Sequence, residues 1–187
     1  VPKIIGPEDY GDYSYIISTY AFLFQILMFN SSTAYIYFLS TGKYDIREIN
    51  TFYLLFLLLI SSIVIVFSLL FIDNSYVISG LWNGLNNKKL LYFGLLFGVL
   101  ANFQQRFIDF SDSTSQTIIS EKIKLLSKFL MAVSILALIF FKMLNIYWFF
   151  VISILNFSLF ISLFLKYINY NLILISFEKN KAIFIDF

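Results

Sequence analysis

Apolar positions gather into long runs broken by short polar segments, and a helix needs ~20 such residues to cross a bilayer. Five spans are predicted, at about 13–39, 50–72, 88–110, 125–141 and 146–167. The pattern predicts an all-α integral membrane protein. Residues 1–168 would form one bundle of about five transmembrane helices, and 169–187 a short tail with two apolar runs, each too short to span. Val1 to Asp12 reads as an acidic loop and Ser40 to Ile49 as a turn. Asp73 to Asn87 reads as a loop with room for a short interfacial helix.

The spans differ in character. The second is interrupted only by Ser61, Ser62 and Ser68, which can bond back to their own helix, and is expected to face lipid. The first carries Ser18, Gln25 and Ser32 on one face and a polar cluster at Asn30 to Thr33. Tyr10, Tyr13 and Tyr15 are expected at one interface, and Tyr35, Tyr37 and Tyr44 at the other. Ser111 to Lys128 reads as an amphipathic connector, opened by a capping box at Ser113-x-x-Gln116, that lies along the interface before turning into the fourth span.

The third span organises the rest. Gly94, Gly98, Asn102, Gln105, Asp109, Asp112 and Gln116 recur at helical spacing as one stripe, small at one end and polar at the other. Leu95, Leu96, Phe97, Leu100 and Phe103 fall mostly on the opposite side. The greasy side is expected toward lipid and the stripe toward protein or a wet cavity.

Composition supports the membrane reading: 60% of residues are hydrophobic and 13% charged, against about a quarter charged in soluble domains. A net charge of +2 points away from nucleic acid. The absence of Cys and His removes thiolate metal sites, disulfides and the commonest general base. There is no Walker-A loop and no nucleophile–base pairing, so neither an enzyme nor a cofactor is expected. No signal peptide is read at the start, which opens on Val1. With Val1 to Asp12 outside, nine Lys and Arg fall inside and four outside, which favours that orientation.

Two segments then become informative. GPEDYGDYSY (Gly6 to Tyr15) resembles the loop after the first transmembrane helix of polysaccharide flippases in the multidrug/oligosaccharidyl-lipid/polysaccharide exporter superfamily. SSTAYIYFLS (Ser31 to Ser40) resembles the run that ends that family's second helix. The resemblance covers about Ile4 to Tyr167 and implies one lobe of a two-lobe transporter, without its first helix. It also implies a multi-pass protein of the bacterial inner membrane, and again puts Gly6 to Gly11 outside. Membrane lipid, a lipid-linked glycan, and either the missing second lobe or another copy of the chain would be its partners. The sequence is shorter than the family, and its tail after Tyr167 is not expected to form a second lobe.

On this reading Gln25, Asn30, Asn102, Gln105, Arg106 and Asp109 are candidates for a substrate cavity. Amides suit sugars, and an Arg fork suits a diphosphate. The plainer alternatives are a snorkelling anchor for Arg106 and helix-to-helix bonding for the amides. Gly94-x-x-x-Gly98 reads as a helix-packing site, within the bundle rather than between copies. Two other function classes compete: a non-transporting structural subunit of a membrane complex, and a membrane-embedded glycan polymerase.

Overall fold

A computed structural model describes residues 2–29, 31–72, 74, 76, 80 and 88–168. The described structure is helical: α1 (Pro2–Ile5), α2 (Pro7–Met28), α3 (Ser31–Thr41), α4 (Ile46–Phe71), α5 (Lys88–Ser113), α6 (Thr117–Phe140) and α7 (Ile146–Tyr167). Most of the expected loop at 73–87 and all of 169–187 lie outside the described residues.

Helix α2 starts at Pro7, inside the segment expected as a loop. Proline is pre-set for the first helical position, and Glu8 and Asp9 meet the positive end of the helix dipole. The expected first span is not one straight helix. The chain leaves α2 through Phe29, whose φ of 44° is left-handed, and restarts as α3 at a bend of 56°. Helix α3 opens on Ser31, so Ser31, Ser32 and Thr33 of the polar cluster form its first turn, and Asn30 lies outside the described residues.

Among the described residues, three helices are long and apolar enough to cross a membrane: α4, α6 and α7. The bent pair α2–α3 makes a fourth if it counts as one span. These apolar helices mark a membrane protein. Helix α5 has the length, at 26 residues, but does not meet that apolarity test. Asn102, Gln104, Gln105 and Arg106 crowd its middle. The third expected span is therefore a helix of mixed character.

Helix ends follow local chemistry. Asp45 caps α4, accepting from Arg47 N at 2.8 Å, and Asn145 caps α7, accepting from Trp148 N at 3.0 Å. The expected capping box at Ser113 does not form. Ser113 is the last residue of α5, and its Oγ donates to the Asp109 and Phe110 carbonyls at 2.8 and 3.0 Å. Gln116 precedes α6 without a side-chain cap bond. Connector and fourth span merge into one helix, α6, because Ile119, Ile123, Leu126 and Leu130 continue a single helical phase.

Helix α5 is the hub, packing on α2, α3, α4, α6 and α7, most extensively on α7. Its side away from the small-residue stripe is not left to lipid. Leu95 is buried, and Phe97 meets Phe157 and Phe150 edge-on. Leu96 is exposed. Helix α4 is two-sided as well. Leu55, Leu58, Leu59, Val66 and Leu70 face outward, while Asn50, Tyr53, Leu57, Ile60, Ser61, Val64 and Ser68 form a buried face. Only Ser62 among its three serines is shown bonding back to its helix, donating to Leu58 O at 2.7 Å.

Candidate functional site

The site is built where α5 meets α2, α3 and α4. Gly94 and Gly98 bring α5 against α2. A Cβ at Gly94 would collide with Ile16 Cγ2, and one at Gly98 would lie 3.0 Å from Tyr20 Cβ and 3.3 Å from Phe24 Cε2. Lack of side chains permits this approach. The glycines thus serve packing within the chain.

One turn further along α5 the contact opens into a groove of about 250 Å³. Ile17, Ala21, Phe97 and Gly98 make its walls apolar, while Gln25, Asn102 and Arg106 add polar groups. Three of the six sequence candidates therefore share one groove. Gln25 is exposed, and Asn102 and Arg106 are half-buried. The Asn102 Nδ2 is buried and meets no acceptor among the described residues.

Two more candidates join Arg106 along α5. Arg106 Nη1 donates to Asp109 Oδ2 at 2.9 Å, and Gln105 Nε2 donates to Asp109 Oδ1 at 3.0 Å. Both oxygens of the buried Asp109 are thus engaged, which limits the cost of a charge out of water. Arg106 is not fully satisfied: its Nε is buried without an acceptor among the described residues. Asn30 lies outside the described residues.

Sequence reasoning missed the support behind Arg106. The guanidinium carbon lies over the Tyr53 ring, 6.0 Å from its centroid. Tyr53 stacks on Tyr35, with centroids 4.1 Å apart and planes 13° from parallel. The Tyr35 hydroxyl donates to Asn50 Oδ1 at 2.7 Å, and Ser31 Oγ lies 3.4 Å from the Tyr53 hydroxyl. Tyr35, expected at a headgroup interface, is fully buried. The usable signal was helical phase: Asn50 and Tyr53 stand three apart, in register with Leu57, Ile60 and Val64.

The basic connector stays peripheral. Lys122 and Lys128 are exposed, and Lys124 pairs with Glu121 at 2.9 Å. Among the described residues, no three acidic, His or Cys side chains are grouped to hold a metal ion. Chemically, the groove offers amide and guanidinium donors beside an apolar wall, which suits an amphipathic ligand with an acceptor-rich head.

No protein-family model, curated protein or solved structure matches the chain.

Proposed function

We propose that the chain is one lobe of a transporter that turns lipid-linked oligosaccharide or polysaccharide repeat units across the bacterial inner membrane. Five spans serve this reading: the bent pair α2–α3, then α4, α5, α6 and α7. A partly polar α5 is tolerable as a span because Asn102 and Arg106 line the groove and Asp109 is buried and paired. The observation that carries the proposal is Arg106. It lines a groove with Gln25 and Asn102, is tied to Asp109, and keeps a buried donor unmatched among the described residues. An arginine so held offers a fork to a diphosphate, while the amides suit sugar hydroxyls. The resemblance of Gly6 to Tyr15 and Ser31 to Ser40 to the flippase family supports the same reading. The lobe would rock against a second lobe or another copy, with the glycan head shielded between them and the tail left in lipid. Mass action or an ion gradient would drive it, since no nucleotide-binding loop is present in the sequence.

A structural subunit held through Gly94 and Gly98 would need that face free, and both glycines pack against α2 of the same chain.

The sequence has no Cys, so single cysteines label against a clean background. Asn102→Cys and Gln105→Cys should react in cells with a water-soluble maleimide, and Leu96→Cys, on the lipid side, should not. Arg106→Lys in the complete transporter should lower glycan export at unchanged membrane abundance. Equal inertness of all three cysteines, or normal export by the Lys variant, would refute the proposal.

A further inference from the structure

We infer that Tyr53, Tyr35 and Asn50 are positioning residues that set the orientation of the Arg106 guanidinium at the groove. The inference rests on the proposed role of Arg106 and extends it to residues on two other helices. An arginine on a membrane helix has a long, flexible stem, and its favoured course is to reach for the headgroups. Asp109 alone does not fix it, because both lie on α5, three residues apart, and move together. An external support is required to set where the guanidinium stands relative to α2.

The Tyr53 ring provides that support. It comes from α4 and places a π-face under the guanidinium, with the cation 6.0 Å from the centroid. Tyr53 is itself held: α3 lays the Tyr35 ring parallel to it at 4.1 Å, and Asn50 Oδ1, one turn earlier on α4, accepts a hydrogen bond from the Tyr35 hydroxyl at 2.7 Å. All three side chains are fully buried, so the stack has no room to slide. The chain of contacts Asn50–Tyr35–Tyr53–Arg106–Asp109 thus crosses α3, α4 and α5. It also connects the element after the bend at Phe29 to the groove. A rearrangement of α3 would shift the ring pair and with it the guanidinium.

The test uses the full chain in lipid nanodiscs and an arginine-specific dicarbonyl, phenylglyoxal. The sequence contains two arginines, and the exposed Arg47 is an internal reference for the modification rate, read by peptide mass spectrometry. Tyr53→Leu should raise the Arg106-to-Arg47 rate ratio about fivefold, the scale of losing a cation–π contact. Tyr53→Phe keeps the ring and should stay near the parent ratio. Tyr35→Phe, which loses only one oxygen and is the safer variant for folding, should raise the ratio at least about twofold by releasing the stack from Asn50. A ratio unmoved by both Tyr53→Leu and Tyr35→Phe, or Tyr53→Phe acting as strongly as Tyr53→Leu, would overturn the inference. A second arm adds inorganic pyrophosphate as a protecting anion. Protection of Arg106 in the parent chain that needs several-fold more pyrophosphate in Tyr53→Leu supports positioning, and identical half-protecting concentrations overturn it. If pyrophosphate protects nothing while the rate ratios still shift, the diphosphate role of Arg106 falls and the positioning role stands.

Discussion

Among the described glycines, Gly94 of α5 has the least room, against Ile16 of α2, and its replacement by alanine is the sharpest test of the packing. An added Cβ would collide with Ile16 Cγ2 and lie 3.2 Å from the Tyr20 ring. Neither neighbour can yield easily. Both are fully buried, and Ile16 is β-branched, with one strongly preferred rotamer in a helix. Overpacking of this kind costs ~1–3 kcal/mol. The replacement also gains ~0.5–1 kcal/mol, because glycine is a poor helix residue. The expected net loss is up to about 2.5 kcal/mol, toward the upper end because neither neighbour yields. Gly98→Ala places its Cβ 3.0 Å from Tyr20 Cβ, a milder conflict, and should fall between neutral and that loss. Gly11→Ala, also helical but with nothing within 4 Å, should stabilise by ~0.5–1 kcal/mol. Unfolding in mixed detergent micelles, followed by circular dichroism, reads all three. A cycle with Ile16→Ala isolates the clash, since removing Cγ2 should make the two changes couple favourably by about 1 kcal/mol or more. A Gly94→Ala variant as stable as the parent, with no coupling to Ile16, would refute the close approach of α2 and α5.

Two further outcomes follow from the same geometry. Asp45→Ala and Asn145→Ala should each cost ~1 kcal/mol in the same unfolding measurement, because each removes a helix N-cap; Ser113→Ala, a residue that bonds inside its own helix end, should change stability by less than ~0.5 kcal/mol. With Asp109 buried but Arg106 half-buried at the groove, Arg106→Gln and Asp109→Asn should each lose ~1–3 kcal/mol, and the double variant should lose clearly less than their sum. Strict additivity would show that the pair carries no interaction.

Much of the fold is a property of the sequence by itself. Apolar length set the helices, since a backbone in lipid must bond within its own segment, and that constraint is local. The stripe on α5 was legible for the same reason: helical periodicity alone places Gly94, Gly98, Asn102, Gln105 and Asp109 on one face. The break after α2 fell at a polar cluster that was visible, although its consequence, a bend, was not. What the sequence could not decide is which surface each face meets. Leu95 and Phe97 look lipid-facing in a list of apolar residues, but Leu95 is buried and Phe97 packs against Phe150 and Phe157 of α7. Tyr35 looks like a headgroup anchor, and becomes the buried floor beneath Tyr53 because α3 turns back onto α4. Lipid and a neighbouring helix are equally apolar, so hydrophobicity does not distinguish them. Only the three-dimensional arrangement of helices does, and it is that arrangement which places an arginine of α5 over a tyrosine of α4 beside a groove against α2.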